Sequence, residues 1–322
     1  MTTETSQLPL VSIIIVSYNT RALLVKCLEA VRAGLGGVTA EVIIVDNASK
    51  DDSVAAVREH FPEVRIIESP RNLGFGAANN AAMRVAQGKY FLLLNSDAFV
   101  QPGSISALLA EIERLPRTGV AGPRLLNQDG SLQISCFRFP SPARVWIENS
   151  WLSALFPRSA ILGDYRRWKH DVRREVEWVV GACMLVRREV FDAVGGFDES
   201  FFMYAEESDW QLRIRKAGWK VIFTPDARVI HIGGASGAAE AARINRNFFD
   251  SLDHYVRKHH GVAGLLSMRI AMGIGCSLRM LLWLAAFLIS GGNRAQALKK
   301  SRFHAALACR QLSFWNLAPV RT

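Results

Sequence analysis

Four short apolar runs, each closed by a polar residue, constrain this chain more than any other feature. They are Val11–Val16 (VSIIIV), Val42–Val45, Val64–Ile67 and Tyr90–Leu94 (YFLLL). Such runs are too short for stand-alone helices, and their β-branched and aromatic residues suit strands of a sheet covered on both faces. Between them the spacing changes. Leu24, Leu28 and Val31 recur at helical period, a second helix runs to about His60, and an Ala-rich helix stops at Gly88. Strands alternating with helices imply parallel pairing through right-handed crossovers, an α/β fold with a mostly parallel central sheet. The polar residues that follow the runs, Asn19, Asp46, Asn72 and Asp97, then share the carboxyl edge of the sheet, where open parallel sheets bind ligands.

Each of these residues has a plain alternative. Asn95-Ser96-Asp97 supplies the oxygen donors that Mg2+ and Mn2+ prefer, yet Asn, Ser and Asp also favour turns. Asn19 or Thr20 caps the first helix as readily as it meets a ligand. Gly74-Phe75-Gly76 lacks the third glycine of the dinucleotide fingerprint, because Asn79 holds that position, and it follows the third strand rather than the first. A dinucleotide-binding dehydrogenase is therefore disfavoured. The glycines still allow a tight turn or close approach to a diphosphate at a helix N-terminus.

Further along, Gly119–Pro123 reads as a short strand and 127–130 as a turn. Phe137–Trp168, rich in Trp, Pro and Arg with little periodicity, reads as a lid or an irregular part of the core. Trp178–Val186 (WVVGACMLV) reads as a central strand broken by Gly181. The acids Glu206, Glu207 and Asp209 then lie in an aromatic neighbourhood. On a helix Glu206 and Asp209 share a face at i,i+3 while Glu207 points elsewhere. A carboxylate among aromatics serves as a general base, whereas acids at a helix start complement its dipole. Val221–Phe223 is a strand closed by Pro225, and Val229-Ile230-His231 precedes Gly233-Gly234. A lone histidine there is a structural group or a metal ligand.

The chain carries a formal charge of +10, and residues 241–322 hold 12 Lys and Arg against 2 Asp and Glu, so the remainder is neutral. Within that tail, Leu265–Ile289 is apolar but interrupted by Arg269 and Arg279, which leaves an unbroken stretch shorter than a membrane span. The expectation is amphipathic helices on an anionic membrane surface, held by Lys258, Arg294, Lys299, Lys300 and Arg302. A helical hairpin packed on the first domain is the alternative. Basic residues interleaved with Leu, Ile and Met argue against nucleic acid. Five scattered cysteines without a CxxC argue against zinc and a disulfide framework. The first ten residues lack the pattern of a secretory signal, so a cytoplasmic protein, peripheral at the inner face of the cell membrane, is expected.

Taken together, Ser12–Asn19 (SIIIVSYN), Asp46–Ser49 (DNAS), Asn72–Gly76 (NLGFG), Asn95–Asp97 (NSD), Gly195–Glu199 (GGFDE), Phe202–Arg213 (FMYAEESDWQLR) and His231–Gly234 (HIGG) resemble the family 2 inverting glycosyltransferases, in particular the bacterial rhamnosyltransferase-like group. The resemblance implies a GT-A nucleotide-binding domain over 8–245 and a helical, basic, amphipathic region over 246–322. It implies a nucleotide-sugar donor, dTDP-rhamnose as the first choice, and a glycan or polyprenyl-diphosphate-linked acceptor. By position, Asp46 would meet the base, Ser17 and Asn19 the nucleoside, and Asn72 and Gly74 the ribose or diphosphate, with Asn95 and Ser96 also donor-facing. Asp97 and His231 would hold Mg2+ or Mn2+, and Glu207 would be the catalytic base. Two departures from the family's pattern bear on this. Asn95 replaces the first Asp of DxD, and Glu206-Glu207 replaces the usual Glu-Asp, which keeps Asp209 as a rival base. Galactofuranose, mannose or glucose transfer, and a non-catalytic nucleotide-sugar-binding scaffold, are the competing functions.

Overall fold

A computed structural model describes residues 8–159, 161–163, 165, 168–233, 241–289 and 294–313, without the side chains of 241–246. In chain order the elements are β1 (Val11–Ser17), α1 (Arg21–Gly34), β2 (Ala40–Asp46), α2 (Ser53–His60), β3 (Arg65–Glu68), α3 (Phe75–Met83), β4 (Tyr90–Asn95), β5 (Ala98–Val100), α4 (Ser104–Arg114), β6 (Thr118–Leu126), β7 (Leu132–Gln133) and β8 (Cys136–Phe137). They continue with α5 (Pro142–Asn149), α6 (Leu152–Leu155), β9 (Arg174–Val176), β10 (Trp178–Val179), β11 (Cys183–Arg187), α7 (Arg188–Val194), α8 (Glu206–Lys216), β12 (Lys220–His231), α9 (Ala241–Ile289, broken at Gly261) and α10 (Arg294–Leu312).

The main sheet runs β3-β2-β1-β4-β11-β6-β12-β5, with β7 added to β6 and β9 to β12. Its first four strands are parallel, as the alternating pattern requires. The register pairs Ser17 with Asp46 and Val16 with Asn95, so these polar ends share one edge. The winding direction reverses between β1 and β4, which opens a crevice at their carboxyl ends. Ile13, Ile15, Leu92 and Leu94 of the sheet pack with Leu24, Leu28 and Val31 of α1 and Ile105, Leu108 and Ile112 of α4 in one core, all nearly inaccessible to water.

Beyond β4 the pattern departs from expectation at three places. The apolar run around Gly181 is not one strand. β10 pairs with β8 in a separate two-stranded sheet, while β11 enters the main sheet antiparallel to β4 and β6. Conversely, Pro225 does not end a strand: β12 continues from Lys220 to His231 through a register shift between Thr224 and Arg228. A bulge accommodates a proline because no ladder hydrogen bond is needed from it. The expected strand at 119–123 extends over Thr118–Leu126.

The chain groups into two compact units, 1–139 with 168–251 and 140–167 with 252–322. Segment 140–167, read from sequence as part of the first domain, therefore belongs with the C-terminal helices. The reason lies in its partners: Trp146 Nε1 donates to Ser267 Oγ at 3.1 Å, and Asn149 Oδ1 accepts from Arg279 Nη1 at 2.8 Å. In this second unit Arg269 is 4% exposed and bonds Asp253 at 2.7 Å, and Arg279 lies over the Trp151 ring. Both arginines that interrupt the apolar tail are thus engaged by protein. Within α9, residues Asn247–Ile289 are long and apolar enough to cross a membrane by length and composition, with a mean hydropathy of 1.9 in the most apolar window. That differs from the expectation of a stretch too short to span.

Candidate active site

The crevice at the ends of β1 and β4 is a cavity of about 360 Å3, within the range of small-ligand sites. Asn72, Gly74, Asn95, Ser96, Asp97, Glu206, Glu207 and His231 all line it, although they come from four separate stretches of sequence. Ser17, Asn19, Asp46 and Asp209 do not line it.

On one side, β4 ends at Asn95 and the chain turns through Ser96 and Asp97 into β5, which pairs with the end of β12 and so brings His231 alongside Ala98. His231 Nε2 lies 3.3 Å from Asp97 Oδ1, and the other Asp97 oxygen accepts from Gly233 N–H at 3.1 Å. Asn95 Nδ2 stands 3.4 Å from His231 Nε2. Gly233 is described; its neighbour Gly234, part of the same sequence motif, lies outside the described residues. Among the described residues no group of three or more His, Cys, Asp and Glu could hold a metal ion. A carboxylate and an imidazole converging on a cavity nevertheless fit Mg2+ or Mn2+, which take one or two such ligands and complete their shell with substrate phosphate oxygens and water.

The acids enter from α8. Tyr204 and Ala205 both have positive φ, 71° and 65°, an arrangement that costs about 1–3 kcal/mol per residue and is characteristic of functional sites. It makes Glu206 and Glu207 the first residues of the helix and turns both toward the cavity. Sequence spacing put Glu206 and Asp209 on a common face and Glu207 away from it. That expectation is corrected here, because residues at the helix start face the cavity while Asp209, one turn in, is fully buried against Arg213 at 2.9 Å. Arg213 in turn donates to the carbonyls of Val194 and Gly196. Glu206 Oε2 and Glu207 Oε2 are buried without a hydrogen-bond partner. Burial drives the Glu206 carboxyl well above its ordinary value, with the Glu207 charge adding to the rise. Burial also raises Glu207, opposed by backbone N–H groups that include that of Gly181.

The loop 72–74 is held by Asn47, a residue that sequence reasoning passed over. Asn47 Oδ1 accepts from Leu73 N–H at 2.8 Å while its Nδ2 donates to Asn72 Oδ1 at 2.9 Å and to Gly74 O at 3.2 Å. Its signal was its place beside Asp46 at the end of a buried strand. Gly74 has φ +84°, and a Cβ there would stand 2.2 Å from the carbonyl oxygen of Phe202. Its close backbone approach is therefore made to the chain itself. Thr20 precedes α1 without capping it, since its hydroxyl donates to Ser96 Oγ at 2.9 Å and meets Ser17 Oγ at 3.0 Å. Asn19 accepts from Lys50 N–H and Asp46 from Ser49 N–H, so both brace the β1 and β2 loops outside the cavity. Asp46 Oδ1 is buried and has no partner. Tyr18, Phe75, Met203, Tyr204 and Asn247 complete much of the wall and carried no separate sequence signal.

Residues 12–195 match the sequence model of Glycosyl transferase family 2. An N-acetylglucosaminyl-diphospho-decaprenol L-rhamnosyltransferase of Mycobacterium tuberculosis is 36% identical over 204 residues, covering 59% of this chain and 66% of that protein. This chain thus spans just under two thirds of that relative's length. A low-salt glycan biosynthesis hexosyltransferase, Agl10 of Haloferax volcanii, is 28% identical over 64% of this chain and 61% of its own length. Among solved structures, the mannosyltransferase PcManGT of Pyrobaculum calidifontis, in complex with GDP-Man and Mn2+, superposes with a TM-score of 0.55 at 19% identity over 96% of this chain and 88% of its own. At that identity the likeness concerns the fold alone.

Proposed function

The chain belongs to glycosyl transferase family 2, in its rhamnosyltransferase-like group, and from that premise we propose that it transfers L-rhamnose from dTDP-rhamnose to a hydroxyl of a polyprenyl-diphosphate-linked N-acetylglucosamine, with inversion. The observation that carries this reading is the convergence on one cavity of Asp97 with His231 and of Glu206 with Glu207. The sugar and the acceptor follow the name of the mycobacterial relative, and the dTDP carrier follows the family resemblance.

In this reading Glu207 takes the proton of the acceptor hydroxyl while its oxygen attacks the anomeric carbon. The bond to the nucleoside diphosphate breaks on the far side, and the configuration inverts in one displacement. Glu207 suits the role because burial raises its proton affinity while the Gly181 N–H keeps the ionised form accessible. Glu206, raised well above its ordinary value by burial and by the Glu207 charge, would carry the proton of the pair and leave its neighbour as the working base. Asp97 and His231 would hold Mg2+ or Mn2+, which when bound neutralises charge on the departing diphosphate. Asn47 keeps loop 72–74 in place for the donor, and Ser17, Asn19 and Asp46 brace the adjoining loops against the nucleoside. The 8–245 region would then be the catalytic domain.

The apolar face of α9 supports association with an anionic membrane surface, where a polyprenyl-linked acceptor resides. The test of the reaction is transfer to synthetic N-acetylglucosaminyl-diphospho-polyprenol from dTDP-rhamnose, UDP-galactofuranose, UDP-glucose and GDP-mannose in parallel. Transfer from dTDP-rhamnose alone, with the product anomer opposite to the donor and loss on chelation or in Asp97→Ala, is the expected result. Transfer from another donor would overturn the sugar, retention of configuration would overturn the mechanism, and no transfer from any of the four would overturn the acceptor.

A further inference from the structure

The imidazole of His231 has a further neighbour, Gln133 at the end of β7. Its Nδ1 lies 2.7 Å from Gln133 Oε1. The orientation of that amide is fixed from the far end of a hydrogen-bonded chain. Asp129 is the origin: the hydroxyl and N–H of Ser131 hold its carboxyl below the ordinary value, so at neutral pH it is ionised and accepts only. Ser131 Oγ–H donates to Asp129 Oδ1 at 2.6 Å and must therefore accept from Asn127 Nδ2 at 2.9 Å. Asn127 is thereby oriented with Oδ1 outward, where it accepts from Gln133 Nε2 at 3.1 Å. The same Gln133 nitrogen donates to the His231 carbonyl at 3.2 Å. With both nitrogen contacts assigned, only Oε1 is left to face the imidazole, and an oxygen there requires a proton on Nδ1.

We propose that the chain Asp129–Ser131–Asn127–Gln133 locks His231 in the Nδ1–H form, so that Nε2 is presented to the cavity as an unprotonated ligand atom beside Asp97. Gln133 is then a positioning residue for the divalent cation assigned above, and the inference rests on that reading of the site. Two further contacts bear on the polarity. Asn95 Nδ2 faces Nε2 as a donor toward an acceptor. Asp97 Oδ1 stands 3.3 Å from the same Nε2 and on its own would favour a proton there, so the lock from Gln133 works against Asp97 until a cation sits between the two. Partners of this kind on the outer nitrogen of a ligating histidine fix its tautomer, and their loss typically weakens metal binding by about 10–100-fold.

The test uses full-length protein with 15N-labelled histidine, free of metal, and the His231→Asn spectrum to identify the His231 nitrogens. The parent is expected to show His231 with its proton on Nδ1, and Mn2+ alone is then titrated until the His231 signal broadens by half. Gln133→Leu is expected to lose the single tautomer and to need about 10–100-fold more Mn2+. Gln133→Glu, which keeps an acceptor at Nδ1 but loses both donations from Nε2, is expected to keep the Nδ1 proton and to need less additional Mn2+ than Gln133→Leu. Asn127→Ala, at the partly exposed turn, gives a mixed tautomer without touching the cavity. A parent protonated on Nε2, or a Gln133→Leu protein with unchanged tautomer and unchanged Mn2+ response, would overturn the proposal. A parent whose His231 signal ignores Mn2+ would overturn the metal reading of the site, while the tautomer spectra would still decide the role of the chain.

Discussion

Glu206 and Glu207 are two carboxyls on consecutive residues with buried, unpartnered oxygens, and their titration is the most direct handle on the site. Both carry raised values in the fold, burial being the first cause. A carboxyl raised on folding binds more protons in the native than in the unfolded state. Stability therefore falls as pH climbs from the unfolded value near 4.5 through the native one. Glu206→Gln removes one buried carboxyl and its repulsion from Glu207, so its melting temperature should exceed the parent's at pH 8 and converge with it near pH 4. A gap that is constant with pH would mean that Glu206 is not titrating. Turnover, in contrast, should rise with pH through a limb above the ordinary carboxylate range and keep that limb in Glu206→Gln, because the neighbour is neutral already. Glu207→Gln should fold and lose about 100-fold or more in transfer rate. Asp209→Asn should act through stability alone, lowering it by about 1–3 kcal/mol as Arg213 loses its counter-charge, with turnover per folded molecule kept. Exchange of those two outcomes would move the base to Asp209.

Elements show which parts of this architecture local sequence encodes. β1 to β4 and the helices between them were legible because each is a short apolar run with its own polar stop, and parallel pairing follows from the alternation. Gly181 was legible as a break, yet not as a passage between two sheets, because that depends on β8 as a partner some forty residues upstream. Pro225 misled for a similar reason. It ends a strand by local rules, and only pairing with β6 shows β12 bulging past it. The site divides along the same line. Asp97, Glu206 and Glu207 were singled out by residue chemistry and His231 by the motif it ends, and all four line the cavity, whereas Asn47 and Gln133 act through contacts between distant segments and look like ordinary turn and strand residues. Loop 72–74 supplies the test at this scale. Asn47→Ala leaves Leu73 N–H without its acceptor, at a cost of about 1–3 kcal/mol, and should raise the donor KM more than it lowers kcat. Gly74→Ala should be worse, since its Cβ would meet the Phe202 carbonyl at 2.2 Å with φ at +84°. A lowered melting temperature checks this, and an unchanged one would mean that the 202 backbone yields.

Across the whole chain, the excess charge and a periodic run of exposed apolar residues fall in the same C-terminal region, which is the main physical argument for a membrane surface as partner. Within α9, Ile270, Ile274, Leu278, Leu281, Leu282, Leu288 and Ile289 are exposed and recur at helical spacing, while Arg269 and Arg279, which break the apolar run in sequence, are turned onto Asp253 and Asn149. A single stripe of this kind with Lys299 and Arg302 exposed on α10 matches a helix lying in an anionic interface. Each inserted leucine contributes about 1.5–3 kcal/mol and each nearby basic residue about 1 kcal/mol, so the two contributions separate experimentally. Leu278→Glu with Leu282→Glu should weaken co-sedimentation with any liposome by about a hundredfold while leaving the melting temperature within about 1 °C, since neither side chain is in a core. Lys299→Ser with Arg302→Ser should weaken binding only to anionic liposomes, and high salt should reproduce that loss in the parent. If the leucine pair binds liposomes as the parent does, the stripe is covered by protein rather than lipid; if carbonate washing fails to release the parent from membranes, α9 crosses the bilayer instead of lying on it.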